Sequence, residues 1–136
     1  MQPLVASGLI EVVPGLMDLL PNELRKRVES IQAAPTAELL RLSAETMRRL
    51  PGTGNGRIRV ALAPTIPTQC TDEFLEGCAR LAREHGVGVH THLSESKIQA
   101  ITAQRRWGKT AVARLEEVGL LGPSFVGAHS VWLTED

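Results

Sequence analysis

Aromatic side chains are scarce in this sequence of 136 residues, which contains no tyrosine, two phenylalanines and two tryptophans. So few rings exclude a base-stacking surface for single-stranded nucleic acid and require a mainly aliphatic core. An excess of charge is also missing, because 15 basic side chains are balanced by 15 acidic ones. Without net positive charge, the chain has no general attraction to nucleic acid or to anionic membranes.

Cysteines and long apolar segments are equally scarce. The two cysteines, Cys70 and Cys78, are separated by eight positions, which fits neither a CxxC metal site nor a disulfide-rich secreted domain. No basic residue precedes Arg25, and no apolar run is long enough to cross a bilayer. We therefore expect a soluble, cytoplasmic protein with reduced thiols, in which Cys70 is not a nucleophile.

The remaining composition is typical of one globular domain, since 43% of the residues are hydrophobic and 22% are charged. We interpret residues 1–136 as a single domain with two parts. In residues 1–56, the pattern predicts a strand at 8–13, a helix after Pro21 and a second helix capped by Thr36. The predicted apolar stripe of this second helix comprises Leu39, Leu42, Ser43, Met47 and Leu50.

Residues 57–136 show a more regular alternation of elements. Apolar runs predict strands at 58–63, 87–93 and 124–133. Helical spacing predicts one helix from the Thr71 cap to Gly86 and another at 109–121, with a polar loop before the second helix. The order β-α-β-α-β requires crossovers between parallel strands, so the predicted fold class is α/β.

Two histidines and a glutamate lie at the end of the strand predicted at 87–93. Strand side chains alternate between the faces of a sheet, so His90 and His92 share one face. Glu95 follows in the loop at the carboxyl end of the strand. Imidazole is the commonest protein ligand of zinc, and a nearby carboxylate can transfer protons. The pattern is consistent with a metal site or with a pair of hydrogen-bonded structural histidines.

A third histidine, His129, lies on the next predicted strand, in the segment Gly-Ala-His-Ser. The carboxyl ends of parallel strands meet at one edge of a sheet, where ligands and catalytic groups collect. The addition of His129 to His92 and Glu95 favours a catalytic site. His85 lies at the end of a predicted helix, where packing or the helix dipole accounts for it better than catalysis.

Three segments together resemble the metal-dependent amidohydrolase superfamily. They are RVALAPTIPTQCTDEFL from Arg59, HGVGVHTHLSES from His85 and GLLGPSFVGAHSVWL from Gly119. The similarity is to the branch that contains S-adenosylhomocysteine and methylthioadenosine deaminases, guanine deaminases and chlorotriazine hydrolases. The specific feature is HxHLxE at the end of one strand combined with a downstream Ala-His on the next.

This resemblance implies a (β/α)₈ TIM barrel, of which the chain forms about strands three to six with their helices. It also implies a hydrolase in which one divalent ion, zinc or iron, activates water to displace ammonia or another leaving group from a small heterocyclic substrate. By position, the metal ligand of strand five is His92. Glu95 is the acid/base that protonates the ring nitrogen, and His129 is the strand-six histidine that approaches the attacking water.

The resemblance is incomplete in two respects. The family's HxH pair on strand one and its aspartate on strand eight have no counterpart, and His90 has no assigned role. We therefore expect the chain to be inactive alone and to pair with another copy or with the remaining barrel strands. At the end of strand four, Thr65 follows Pro64 where purine deaminases of this branch often carry a histidine, which argues against an adenosine-like substrate.

Two other functions are consistent with parts of the sequence. The first is a non-catalytic scaffold or assembly module that keeps the central units of the barrel but binds no metal. The second is a small nucleotide-binding domain, which is disfavoured because no GxGxxG or GxxxxGK[ST] motif follows a predicted strand. The GTGNG segment at 52–56 precedes a strand where such a motif would precede a helix.

Overall fold

A computed structural model describes residues 21–23, 35–50 and 52–134. The strand predicted at 8–13 and most of the helix predicted after Pro21 lie outside the described residues, so those two predictions and the division of the chain at residue 56 stay predictions. None of the helices in the described ranges combines the length and hydrophobicity that crossing a bilayer demands.

The described residues form one three-stranded parallel sheet. Its strands are β1 (Ala61–Leu62), β2 (Gly88–Leu93) and β3 (Phe125–His129), in the order β1-β2-β3. Ala61 pairs with Gly88, and β2 then pairs with β3 along its length from Val89 to Leu93. All three strands therefore end at the same edge of the sheet, as the sequence predicts.

In the described ranges, one bounded helix precedes these strands, and three helices with a short 3₁₀ turn connect them. These elements are α1 (Thr36–Arg49), the 3₁₀ turn (Pro67–Gln69), α2 (Asp72–His85), α3 (Lys97–Trp107) and α4 (Ala111–Glu117). Both ends of α2 agree with the prediction: the Thr71 hydroxyl accepts a hydrogen bond from the Phe74 amide at 3.2 Å. Gly86 ends α2 in the left-handed conformation with φ of 61°, which glycine adopts without strain.

Helix α3 contradicts the prediction of a polar loop before residue 109. Only Thr102 and Ala103 are buried on this helix, whereas Ile98 and Ile101 are exposed. The helix therefore has no continuous apolar stripe in the sequence, and apolar periodicity could not identify it.

The predicted bounds of α4 and of two strands were also too wide. Helix α4 begins after Thr110, whose hydroxyl accepts from the Ala113 amide at 3.1 Å, and it ends at Glu117. Strand β3 ends at His129, because His129 and Ser130 adopt positive φ angles that break the ladder. Strand β1 comprises only Ala61–Leu62, which pair with Gly88 and Val89 of β2.

The buried face of α1 agrees with the predicted stripe only in part. Met47 is buried in the core as predicted, whereas Leu42 and Leu50 are 43% and 41% exposed. Thr36 is the first helical residue and not the predicted cap. The contact with α2 also includes Leu40, whose side chain lies so close to Gly77 that a β-carbon there would clash at 2.3 Å.

The helices cover one face of the sheet and leave the other open. Along β2, Val89, Thr91 and Leu93 are buried in the core, whereas His90 and His92 are exposed on the opposite face. The two histidines therefore share one face, and this face is not the helix-packed core. A parallel sheet with helices on one face and functional side chains on the other is the arrangement of a barrel segment whose open face lines the barrel interior.

Both cysteines are buried in this core, and we expect them to be unreactive. Burial raises the pKa of the Cys70 thiol to about 11 and that of the Cys78 thiol to about 12. At pH 8, iodoacetamide should therefore modify the folded chain at least ~100-fold more slowly than the chain unfolded in guanidinium, where thiols have a pKa of about 8.5. Equal rates in the two states would contradict this burial.

The same raised pKa values predict a fall in stability at high pH. The folded chain retains its thiol protons to a higher pH than the unfolded chain does. This contribution is therefore complete below the ordinary thiol pKa of about 8.5 and is lost progressively as the pH rises towards 11 and 12. Replacing Cys78 by alanine should flatten the decline in the free energy of unfolding between pH 8 and pH 11, measured by urea titration.

Candidate active site

Three of the residues predicted from the sequence converge at the carboxyl edge of the sheet. The rings of His92 and His129 are stacked, with centroids 5.4 Å apart and planes inclined by 18°. The Glu95 carboxylate lies 3.6 Å from Nε2 of His129, measured to Oε1. The side chains of Glu95 and His129 are 45% and 43% exposed, so a small molecule can reach them from the open face.

The His92 ring is oriented by the loop that follows β1. Its Nδ1 atom lies 2.8 Å from the carbonyl oxygen of Thr65, which also accepts the His92 backbone amide at 3.1 Å. Because a carbonyl oxygen can only accept a hydrogen bond, the neutral ring carries its proton on Nδ1. The lone pair of Nε2 is then available to a metal ion, in the arrangement that commonly orients histidine ligands.

Backbone strain and three backbone hydrogen bonds position His129. His129 and Ser130 have φ angles of 70° and 50°, which are unusual for residues other than glycine. The Ser130 amide donates to the Leu93 carbonyl at 2.8 Å, and the Ser94 carbonyl accepts from the amides of Val131 and Trp132 at 3.1 and 2.8 Å. These bonds join the loop after β3 to the loop after β2, and so hold His129 against His92.

Gly127 allows the same loop to fold back on its own strand. A β-carbon at this position would lie 2.9 Å from the Ser130 hydroxyl oxygen and 3.1 Å from Leu93 Cδ2. The Ser130 hydroxyl donates to the Gly127 carbonyl at 3.2 Å. Glycine is therefore required where the turn carrying His129 packs against the end of β2.

Glu95 has a partner that sequence reasoning missed. The side-chain amide of Gln99 accepts a hydrogen bond from the Glu95 backbone amide at 3.0 Å and donates to Glu95 Oε2 at 3.4 Å. Gln99 lies in the first turn of α3, the helix that was predicted as a loop. Glu95 directly precedes the N-cap residue of α3, and Gln99 at the third helical position reaches back to it, so the contact can be expected only when the start of the helix is recognised.

The other histidines are not drawn into this cluster. His90 lies on the open face of β2, where its register partner on β3 is Val126, and it has no hydrogen bond among those found in the described residues. His85 is the final residue of α2, in agreement with its interpretation as a structural residue.

The described residues contain no complete set of metal ligands. Within these ranges, no three His, Cys, Asp or Glu side chains are grouped closely enough to hold a metal ion. The chemistry of His92 fits a single ligand, because hydrogen bonding of Nδ1 leaves Nε2 unprotonated in the neutral tautomer and the side chain is exposed on the open face of the sheet. A catalytic zinc site normally requires three protein ligands, so His92 alone does not make one.

A cleft lies beside the cluster, between α3 and the segment that follows β3. It has a volume of about 440 Å³ and includes Ser94, Lys97, Ile101 and Trp132 in its lining. The Lys97 ammonium lies 5.9 Å from the centre of the Trp132 ring, within the range of a cation–π contact. The cleft is thus bordered by the same two loops that carry Glu95 and His129.

Sequence comparison identifies relatives among deaminases. The chain is 36% identical over 89 residues to the 5'-deoxyadenosine deaminase of Methanosarcina mazei, a match that covers 65% of this chain and 21% of the relative. It is 42% identical over 106 residues to a 5-methylthioadenosine/S-adenosylhomocysteine deaminase of Desulfitobacterium hafniense, covering 76% of this chain and 24% of the relative. The chain thus spans about a quarter or less of the length of these relatives.

Comparison with solved structures confirms the fold class. An adenosine deaminase from Xanthomonas campestris with bound zinc superimposes with a TM-score of 0.68 at 25% identity, over 76% of this chain and 23% of that one. A triazine hydrolase from Arthrobacter aurescens superimposes with a TM-score of 0.63 at 22% identity, over 68% of this chain and 20% of that one. The second match shows similarity of fold alone.

The family model of the amidohydrolases matches residues 8–136, which is nearly the whole chain. This match agrees with the deaminase relatives, with the partial parallel barrel and with the motifs at the carboxyl edge of the sheet. The chain therefore belongs to the amidohydrolase family.

Proposed function

We propose that this chain forms the strand-four to strand-six part of the active site of a metal-dependent hydrolase that removes an amino group from a heterocycle. The observation that carries the proposal is the convergence of His92, Glu95 and His129 at one edge of the sheet. Deaminase names among the relatives and zinc in a structural neighbour support the same reaction class.

In this proposal Glu95 moves the protons of the reaction. Its carboxylate takes a proton from the attacking water and delivers it to the ring nitrogen next to the carbon under attack. The remaining proton on the added oxygen is then transferred to the amino nitrogen as the carbon–nitrogen bond breaks, so that ammonia leaves and a carbonyl group remains. His129 lies 3.6 Å from Glu95 and stacks on His92, so its ring borders the space in which water and substrate must meet. It orients the attacking water by hydrogen bonding.

His92 is the residue of this chain that would hold the metal, zinc or iron, through Nε2. When bound, the ion supplies a nucleophile at neutral pH by lowering the pKa of water. The Thr65 carbonyl keeps the lone pair of His92 Nε2 directed away from the sheet, through its hydrogen bond to Nδ1. The remaining ligands come from barrel strands outside the described residues.

The substrate class that best fits the relatives is an amino-substituted purine nucleoside. This chain has Thr65 where purine deaminases of this branch often carry a histidine. The Thr65 side chain is exposed at the mouth of the site, and its backbone carbonyl is hydrogen-bonded to His92. We infer that Thr65 in place of histidine changes the contacts that bind the substrate and leaves the reaction type unchanged. A panel of adenosine, 5'-deoxyadenosine, methylthioadenosine and a chlorotriazine tests the inference, and chlorotriazine turnover alone would overturn it.

We expect the chain by itself to release no ammonia from any of these substrates and to retain no metal after dialysis, because His92 is the single ligand proposed among the described residues. When its coding sequence is joined to the other barrel strands of a deaminase relative, the product should bind about one metal ion per chain and release ammonia. The measurements are metal content by mass spectrometry and ammonia release in a coupled assay. Metal-free, inactive but well-folded complete barrels would favour the assembly module instead.

A further inference from the structure

Gln99 holds Glu95 from two sides, and no other side chain in the described residues is hydrogen-bonded to the Glu95 carboxylate. One end of the Gln99 amide accepts from the Glu95 backbone at 3.0 Å, and the other donates to Oε2 at 3.4 Å. The second carboxylate oxygen, Oε1, is the one that lies 3.6 Å from His129. The two oxygens of Glu95 thus have separate partners.

We propose that Gln99 is a positioning residue, which fixes the Glu95 side chain so that Oε1 faces the reacting atoms. The kinetic consequence of this inference rests on the proposed function. The hydrogen-bonding geometry of Gln99 and Glu95 is independent of that function. A glutamate in an exposed loop otherwise samples several rotamers, and proton transfer requires its oxygen within hydrogen-bonding distance of the reacting group. Ordering by Gln99 removes part of that conformational freedom before substrate binds.

The chemistry of the side chain explains why glutamine suits this position. A glutamate at residue 99 could accept from the Glu95 amide, but it would place a second carboxylate beside the first and could not donate when ionised. Methionine has a similar length and could form neither bond. The amide combines one acceptor for the backbone with one donor for the carboxylate.

The geometric part is testable on this chain without activity, by amide hydrogen exchange measured with NMR. In Gln99→Met, the Glu95 amide should exchange about three- to tenfold faster than in the unchanged chain, the effect of losing one ordinary hydrogen bond. In Gln99→Glu, protection of the Glu95 amide should persist, because the acceptor remains. Gln104→Met is the matched control, since Gln104 is an exposed glutamine of the same helix with no bond to Glu95.

The kinetic part is tested in the complete barrel. Both Gln99→Met and Gln99→Glu should lower kcat by about tenfold with KM changed less than about twofold, since misplacement of the proton-transfer group affects the transition state more than binding.

The outcomes separate the two inferences. Unchanged Glu95 exchange in Gln99→Met would overturn the positioning role whatever the activity. Faster exchange of the Glu95 amide with unchanged kcat in an active barrel would show that the two hydrogen bonds of Gln99 to Glu95 are structural only. That result would also overturn the positioning role. Faster exchange of the Glu95 amide in a complete barrel that lacks activity on every substrate would support the hydrogen bonding of Gln99 to Glu95. It would contradict the proposed function.

Discussion

Replacing Glu95 by glutamine should lower kcat of the complete barrel by two to four orders of magnitude, with the metal retained. The amide of glutamine keeps the size of the side chain but cannot accept a proton from water and pass it to the ring nitrogen, and general acid–base catalysis contributes about 10²–10⁴-fold. The measurements are kcat from ammonia release and metal content by mass spectrometry on the same sample.

Glu73→Gln supplies the matched control for this experiment. Glu73 is an exposed glutamate in the first turn of α2, away from the cluster, so the same chemical change there should leave kcat within about twofold. Activity of Glu95→Gln within tenfold of the unchanged enzyme would remove Glu95 from its proposed role. Loss of the metal in that variant would indicate that Glu95 acts as a ligand instead.

Replacing His92 by alanine should abolish stable metal binding in the complete barrel and reduce activity by at least ~10³-fold. A three-ligand zinc site that loses one imidazole retains too few donors for tight binding, and the activation of water is lost with the ion. Metal retained after dialysis against a chelator, together with the melting temperature, gives the readout. A folded, metal-free variant is the expected result.

His90→Ala is the control that the strand itself provides. His90 lies on the same open face of β2 but makes none of the hydrogen bonds that orient His92. Its replacement should leave metal content unchanged. If His90→Ala loses the metal and His92→Ala retains it, the two histidines have been assigned the wrong way round.

The converging residues were predictable because they depend on regular features of the chain. Period-two alternation places His90 and His92 on one face, and parallel pairing brings the ends of β2 and β3 to one edge. Chemistry-bearing side chains at those ends are then brought to the edge of the sheet where ligands and catalytic groups collect. Their roles, by contrast, come from resemblance to the family and still await measurement.

The parts that sequence reasoning missed depend on contacts that leave no periodic signal. The left-handed turn at His129 is held by backbone amides donating to the carbonyls of Leu93 and Ser94. The orientation of His92 comes from the backbone of Thr65. Every residue has a backbone carbonyl, so residue types do not indicate which carbonyl will accept a hydrogen bond from the site.

Helix α3 shows a second reason for such errors. Its inward residues, Thr102 and Ala103, are small or polar, while its isoleucines face solvent in the described structure. A helix that packs through small residues gives no apolar stripe, so apolar periodicity does not indicate that Gln99 is a partner of Glu95. The error in the secondary structure thus hid one contact of the site.

We propose that one site at the carboxyl edge of the sheet unites His92, Glu95 and His129 around a metal ion. A crystal structure of the complete barrel, with diffraction data collected at the zinc absorption edge, tests this proposal most directly. We expect an anomalous peak about 2.0–2.1 Å from His92 Nε2, with Glu95 and His129 facing the same cavity. A peak bound by other residues, with the His92 ring turned away from it, would show that the proposed site is wrong.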